Sequence, residues 1–286
     1  MRKIVYFFEY LVVSTLFAIF NLIGYKKSSN FGFIIGKILG PIFRPISLIL
    51  KNLDNTKIPF EEDKYDLAKK VLGNYGRIFA EYPHLKNFRN EKLSKFIKIE
   101  GKEYLESIIK EKKTVVFVSG HFNNFELMAM QIELAGVDLA AIYRPLNNVF
   151  LNNTMEKIRS KYICKKQIKK GRAGTRELLE YLKNGSSIAL MIDQRVREGS
   201  KVNFFGSLAS TTTIPAQLIK KYNCELVPIY IERYDNYYFK MFVSKPIKVD
   251  DNKSAEEITL FLNNILEKMI LKNPSQWIWT HDRWKK

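Results

Sequence analysis

Two long apolar stretches occupy the first fifty residues of the chain. The first, Ile4–Ile23, covers about 20 residues, which is enough for a helix to cross the hydrocarbon core of a bilayer. Basic residues flank both of its ends, so the charge pattern does not orient such a helix. No small-residue cleavage site follows the stretch, and this favours a retained anchor over a removed signal peptide.

The second apolar stretch, Phe31–Leu50, contains two cations and two prolines. Pro41 and Pro45 predict breaks that argue against a second clean membrane span. An interfacial segment with Lys37 and Arg44 at the lipid headgroups fits this pattern better. The alternative is that both apolar stretches are buried core helices.

Behind these stretches, short apolar runs alternate with segments of helical periodicity. The predicted strands are 114–118, 139–143, 187–192, 225–231 and 237–243, and the predicted helices are 65–82, 103–110, 126–134, 175–183, 215–222 and 255–271. Such alternation is typical of an α/β domain with a mostly parallel sheet flanked by helices. We therefore expect a membrane anchor and interfacial segment at 1–51 and one α/β domain at 52–286.

The charge of the chain narrows its possible partners. The formal net charge is +18, which suits nucleic acid, an anionic membrane, or acidic substrates and carriers, although a Lys-rich genome composition explains part of it. The sequence contains neither a long Lys/Arg tail nor a nucleic-acid-binding motif, so no nucleic-acid partner is expected. Cys164 and Cys224 are isolated, which favours a reduced, cytosolic location for most of the chain.

The segment that follows the strand predicted at 114–118 carries candidate chemistry. His121 lies at the turn after this strand, and Glu126 follows five positions later at the start of a helix. A histidine can take a proton from an attacking hydroxyl, and a carboxylate bound to its other ring nitrogen would fix its tautomer. The alternative is a histidine bonded to a backbone carbonyl and a solvent-facing glutamate.

Other sequence signatures of catalysis or metal binding are missing. The chain has no G-x-S-x-G elbow, no phosphate-binding loop and no H-E-x-x-H pair. His84 and His281 are isolated, so no metal site is expected.

Several short motifs occur in a fixed order along the chain. They are HFNNFE at 121–126, Arg144-Pro145 after a strand, Asp193-Gln194 after another, VNFFGSLASTTTIPAQL at 202–218 and NPSQWIWTHDRWK at 273–285. Together with Glu81 and the N-terminal anchor, they resemble the late acyltransferases of lipid A biosynthesis. These are inner-membrane enzymes of the lysophospholipid-acyltransferase-like superfamily. The resemblance covers essentially the whole chain.

One motif departs from the family pattern. The family commonly has Gly and then Asn-Trp before the acid, whereas this chain has Asn123, Asn124 and Phe125. The resemblance implies that these changes alter the preference for the acceptor or for the acyl chain length. Both proposed catalytic groups are retained.

The resemblance implies a reaction and a role for three residues. The acyl donor would be an acyl-carrier-protein thioester, and the acceptor would be a hydroxyl of an anionic lipid A precursor. His121 would act as the general base, Glu126 would orient it, and no acyl-enzyme, metal or other cofactor would be needed. Arg144 would stabilise charge near the reaction centre; a phosphate-binding or a structural role is the alternative.

The resemblance also indicates residues that would contact the substrates: Asn124, Arg172, Asp193, Gln194, Phe205 and Gly206. Asp193 would order Arg172 or Arg195, or would cap a turn. The turn that contains Phe205 would border the acyl or acceptor site, or form part of the core. Three tryptophans of the C-terminal motif, Trp277, Trp279 and Trp284, would lie at the membrane interface, with core packing as the alternative for the first two.

The expected setting is the cell inner membrane, with the acyltransferase domain on the cytoplasmic side and membrane lipids as neighbours. A basic face would attract both the acidic carrier protein and the phosphorylated acceptor. Two alternatives remain. One is the same chemistry on another glycolipid or a lysophospholipid. The other is an inactive, membrane-tethered lipid-binding protein.

Overall fold

The computed structural model describes residues 2–285, and within them the chain forms eleven α-helices and nine β-strands. The helices are α1 (Arg2–Ile23), α2 (Tyr25–Phe43), α3 (Ile46–Asn55), α4 (Lys64–Glu81), α5 (Leu85–Arg89), α6 (Lys102–Lys110), α7 (Glu126–Leu134), α8 (Val149–Ile158), α9 (Arg172–Lys183), α10 (Ile214–Tyr222) and α11 (Ala255–Lys272). The strands are β1 (Ile97–Glu100), β2 (Val115–Ser119), β3 (Leu139–Tyr143), β4 (Lys166–Lys169), β5 (Ser187–Met191), β6 (Ser200–Phe204), β7 (Ser207–Thr211), β8 (Glu225–Tyr234) and β9 (Tyr238–Val243). A π-helical turn, Arg159–Ile163, continues α8.

Seven of the strands form one sheet in the order β1-β9-β8-β2-β5-β3-β4. Every neighbouring pair is parallel except β8 and β9, and β6 and β7 form a separate antiparallel hairpin. All five residues of the central strand β2 are buried, as expected for a strand of a parallel sheet covered by helices on both faces. The prediction of an α/β fold with a mostly parallel sheet is confirmed.

Six short elements of the fold are not predicted by the sequence pattern: β1, β4, β6, β7, α5 and α8. The edge strands β1 and β4 have four residues each, with the polar sequences IKIE and KQIK, so they carry little apolar signal. Helix α8 has no fully buried residue, and for this reason its periodicity is weak. The turn after α8 carries Arg159, which belongs to the candidate site described below.

The two N-terminal apolar stretches form helices with different surroundings. Helix α1 is long and apolar enough to cross a membrane, and it exposes most of its large side chains. Of the two prolines in the second stretch, Pro41 lies inside α2, so the predicted break at this residue is wrong. The chain turns by 89° between α2 and α3, and Pro45 lies in this turn.

Helix α2 packs closely against α4 through glycines. A Cβ atom added to Gly76 would lie 1.9 Å from the carbonyl oxygen of Gly32, and one added to Gly36 would lie 2.3 Å from that of Leu72. No side chain larger than hydrogen fits such contacts without moving a backbone. The second apolar helix is therefore built into the body of the fold.

Candidate active site

The parallel pairing of β2 with β5 brings His121 and Asp193 together. Ser119 at the end of β2 pairs with Met191 at the end of β5, and each functional residue follows two positions later. Because parallel strands end at the same edge of a sheet, both side chains reach the loops where ligands of α/β folds are bound. The sequence placed His121 at a strand end, and the fold supplies its partner.

Asp193 fixes the position of the His121 ring. Oδ1 of Asp193 lies 2.7 Å from Nδ1 of His121, while Oδ2 accepts hydrogen bonds from the His121 backbone N–H at 2.7 Å and from Nε1 of Trp277 at 2.9 Å. Asp193 is fully buried, whereas the His121 side chain is 18% exposed. With the proton on Nδ1, the other ring nitrogen, Nε2, is the proton acceptor of this partly exposed ring.

The family resemblance predicts that Glu126 orients the His121 ring and that Asp193 orders Arg172 or Arg195, or caps a turn. In the structure, Asp193 occupies the position at the ring, and its contacts are with His121 and Trp277. Parallel pairing places residue 193 closer to the ring than the helix start at residue 126, and no local sequence spacing encodes this proximity.

Electrostatics favour a protonated His121 beside a charged Asp193. Burial by itself lowers the pKa of His121, but the charge of Asp193 and its hydrogen bond outweigh burial and raise that pKa. The charge of Glu126 acts in the same direction. Burial by itself raises the pKa of Asp193, but His121 lowers it. A proton taken up by Nε2 therefore enters a site prepared for an imidazolium.

Glu126 forms a second charged centre beside His121. Its Oε1 accepts hydrogen bonds from Arg159 Nε at 3.0 Å, Arg159 Nη2 at 2.8 Å and the Tyr82 hydroxyl at 2.7 Å. Arg159 comes from the π-helical turn after α8, and Tyr82 directly follows α4. The ring of Phe125 lies edge-on to His121, with 4.7 Å between the ring centroids. Arg159 was missed in the sequence because it stands in a Lys-rich segment without a motif.

Each partner of Glu126 is held in one protonation state. Burial by itself lowers the pKa of Arg159, but the charge of Glu126 raises it above its usual value. Burial and the neighbouring Glu126 both raise the pKa of Tyr82, so its hydroxyl remains a donor. The Arg159 side chain is 15% exposed and thus keeps some access to the site.

A buried ion pair supports the turn between His121 and Glu126. Glu81 accepts two hydrogen bonds from Arg233, at 2.7 and 2.9 Å, and Oε2 of Glu81 also accepts one from Nδ2 of Asn124 at 3.2 Å. Asn123 adopts a φ of 43°, and its backbone N–H donates to the carbonyl of Gln276. Asn124, a predicted substrate-binding residue, is therefore buried within this turn, and its side chain is bonded to Glu81.

The predicted catalytic Arg144 and two predicted substrate-binding residues lie elsewhere. Arg144 follows β3 and is exposed, and within residues 2–285 its side chain forms no hydrogen bond or ion pair. Arg172 is exposed at the first position of α9. Gln194 is half-buried next to Asp193. No hydrogen bond or ion pair in the described chain joins any of the three to His121.

The turn with Phe205 and Gly206 joins β6 to β7; Phe205 is packed in the core, whereas Gly206 is exposed. Phe205 is 3% exposed, and its backbone N–H donates to Oε1 of Glu267 at 2.6 Å. A Cβ atom on Gly206, whose φ is 76°, would lie 3.3 Å from the side chain of Lys57. The core alternative for this turn thus describes the surroundings of Phe205. Trp277 and Trp279 are buried too, as in their core alternative, and so is Trp284, which was expected at a membrane interface.

Within residues 2–285, no group of three or more His, Cys, Asp or Glu side chains is placed to hold a metal ion. Cys164 and Cys224 are buried free thiols. The chemical groups that remain at the carboxyl edge of the sheet are an oriented imidazole and an adjacent carboxylate–guanidinium pair. Such an arrangement can remove a proton from a hydroxyl and stabilise the resulting charges.

Comparison with known proteins shows one family. A family model described as bacterial lipid A biosynthesis acyltransferase matches residues 1–286. The lipid A biosynthesis palmitoleoyltransferase of Escherichia coli K12 is 24% identical over 269 residues, covering 88% of this chain and 84% of the relative. The lipid A biosynthesis lauroyltransferase of the same strain is 23% identical over 232 residues, covering 79% and 74%. A lipid A biosynthesis acyltransferase of Haemophilus influenzae is 25% identical, covering 79% and 72%.

Proposed function

This chain belongs to the family of bacterial lipid A biosynthesis acyltransferases, and from this membership we propose that it transfers a fatty acyl group from an acyl-carrier-protein thioester to a hydroxyl of a lipid A precursor. The observation that carries the mechanism is the bond between Nδ1 of His121 and Asp193, at 2.7 Å. It leaves Nε2 as the basic atom of a partly exposed imidazole.

His121 acts as the general base in this mechanism. Nε2 takes the proton of the acceptor hydroxyl while the hydroxyl oxygen attacks the thioester carbonyl carbon. The tetrahedral intermediate then expels the carrier thiolate, and the imidazolium returns its proton to that sulfur. One C–O bond forms, one C–S bond breaks, and no acyl-enzyme is made. Asp193 stabilises the imidazolium and holds the tautomer throughout.

Arg159 is a better candidate than Arg144 for the stabilising cation. Arg159 bonds to Glu126 next to His121, whereas the Arg144 side chain has no such contact within residues 2–285. A preorganised guanidinium can stabilise the oxyanion of the intermediate or a phosphate of the acceptor. Glu126 places this cation, and its own charge favours the protonated form of His121.

The N-terminal helix and the family relationship indicate association with a membrane. We assign this membrane to the cell inner membrane, with the acyltransferase domain on the cytoplasmic side. Two free, buried cysteines are consistent with a reducing compartment, in which disulfides are rare. An acyl carrier protein would reach the domain from the same side.

A transfer assay read by mass spectrometry tests the proposal. Purified protein in detergent receives acyl-carrier-protein thioesters of different chain lengths together with one acceptor. The acceptor is a tetra-acylated lipid A precursor in one set of reactions and a lysophospholipid in a second set. The expected product is the precursor with one added acyl chain, absent with His121→Ala. If a product forms only with lysophospholipid, the proposed acceptor is wrong and the proposed mechanism stands. No product from folded protein would favour the lipid-binding alternative.

A further inference from the structure

Much of the positive charge of this protein lies on one segment at an edge of the sheet. Residues 157–183 contain ten Lys and Arg residues and two Glu residues, a net charge of +8 out of +18 for the chain. We call this segment the basic edge. Seven of its cations are exposed and form no ion pair within residues 2–285: Lys157, Lys161, Lys165, Lys170, Arg172, Arg176 and Lys183.

The basic edge is next to the candidate active site. It includes β4, the last strand of the sheet, which runs parallel to β3 and thus in the same direction as β2. Lys170 and Arg172 therefore follow the same end of the sheet as His121 does. Arg159 belongs to the basic edge by sequence, but its side chain turns inward to Glu126.

A groove of about 450 Å³ opens on the basic edge. Its lining side chains all carry a polar group and include Lys157, Lys165 and the paired Glu156. Tyr143 lines the groove, and the centre of its ring lies 5.6 Å from the guanidinium carbon of Arg159. Tyr143 thus contacts both the groove and the cation of the site.

The groove and its rim lack the features of a membrane-inserting surface. Among the described residues between 150 and 207, no large apolar side chain is exposed, whereas α1 exposes Ile4, Phe8 and several others. Surfaces that enter a bilayer combine cations with exposed apolar groups. A polar, cationic surface without them fits an acidic, water-soluble protein.

Helix α8 connects these two unlike surfaces. Nδ2 of Asn148, directly before α8, donates to the Tyr6 carbonyl at 2.8 Å and to Glu9 at 2.9 Å, both in α1. The other end of α8 continues into the turn with Arg159. The site is thereby placed between an apolar surface and a cationic one.

We propose that the basic edge is the docking surface for the acidic carrier protein that delivers the acyl thioester. The acceptor then approaches from the apolar α1 side, and the two substrates meet at His121. This inference rests on the proposed function, because it takes the donor to be a carrier-protein thioester. Arg172, expected in the sequence to bind substrate, would contact the carrier instead.

Charge reversal on matched surfaces tests the proposal with the full chain in detergent. The variant K157E/K165E/K170E alters the basic edge. The control K92E/K98E/K110E alters three exposed lysines around β1, at the opposite edge of the sheet, which form no ion pair within the described residues. Binding of acylated carrier protein is measured at low and high salt. We expect the first variant to bind at least about ten-fold more weakly than wild type at low salt, and the control to bind normally. Thermal melting confirms that both remain folded.

Equal binding by wild type and the basic-edge variant would overturn the docking surface. If the basic-edge variant loses affinity for vesicles of anionic phospholipid but keeps its affinity for the carrier, the basic edge binds lipid headgroups and the docking proposal is wrong. Acyl transfer at saturating donor separates the two proposals: transfer by wild type, together with unchanged carrier affinity in the basic-edge variant, would refute only the docking inference. Absence of transfer to any acceptor would refute the proposed function.

Discussion

The Nδ1 atom of His121 lies 2.7 Å from Oδ1 of Asp193, although the two residues are 72 positions apart in the chain. The register between β2 and β5 produces this contact, because it pairs residues with the same offset up to the strand ends. The buried carboxylate is also held by Trp277, so the ring is anchored from the protein side. This pair turns a strand-end histidine into a candidate base.

Replacing Asp193 by Asn removes the charge while keeping the size of the side chain. We expect kcat for acyl transfer to fall on the order of 10²–10⁴-fold, because the tautomer and the imidazolium lose their support. The pKa of His121 falls without Asp193, which raises it now. Since the base acts when deprotonated, the acid limb of the pH–rate profile moves to lower pH. An unchanged acid limb would show that His121 does not titrate in the reaction.

Arg159→Lys tests the placed cation. A lysine keeps the charge but cannot reproduce the planar guanidinium that donates from both Nε and Nη2 to Oε1 of Glu126, so we expect kcat to fall about 10–100-fold. Arg176→Lys, at an exposed arginine without an ion pair in residues 2–285, keeps the charge of the basic edge, so this matched control should retain wild-type kcat at saturating donor. Transfer rates at saturating substrates check both variants. If Arg159→Lys kept wild-type kcat, the guanidinium of Arg159 would not be required for the reaction.

Glu126→Ala nearly abolishes transfer in our expectation, since Arg159 loses its anchor beside His121. The same change leaves a mostly buried cation without its carboxylate, so stability must be measured together with activity. Glu126→Gln is the companion variant, because it retains an acceptor for Arg159 and Tyr82. A folded Glu126→Ala protein with full activity would contradict a role for this residue.

Arg233→Met tests the ion pair under the catalytic turn. It leaves Glu81 fully buried without its bidentate partner, and we expect a loss of about 3–5 kcal/mol in the free energy of unfolding. Chemical denaturation followed by circular dichroism measures this loss. The double variant with Glu81→Leu should recover part of the stability, because no buried charge remains unpaired. If the double variant loses as much free energy of unfolding as the two single variants together, the unpaired buried charge is not the cause.

Asn148→Ala tests the link between α1 and α8. Oδ1 of Asn148 accepts from the backbone N–H groups of Phe150 and Leu151, so its loss costs about 1 kcal/mol of stability as a helix cap. The same change breaks the contacts of Nδ2 with α1. We expect faster protease cleavage between α1 and α2 in detergent, with Asn153→Ala, an exposed neighbour, as the control. Equal cleavage in both variants would show that the link does not hold α1.

The amino-acid sequence by itself determined the α/β class, the central strands, the apolar N-terminal helix and the position of His121 at a strand end. These features depend on the local pattern of apolar residues. A buried strand needs a continuous apolar run, and the apolar positions of a helix repeat every 3.6 residues. The edge strands β1 and β4 lack this signal since their residues are half in solvent.

Only the tertiary structure decided which groups meet. Asp193 reaches His121 through sheet register, and Arg159 reaches Glu126 through the packing of a turn that carries no motif. It also decided that the tryptophans of the C-terminal motif are buried and that Asn124 is bonded to Glu81. Such contacts join residues far apart in the chain. Their geometry depends on the whole fold, and no spacing along the sequence encodes it.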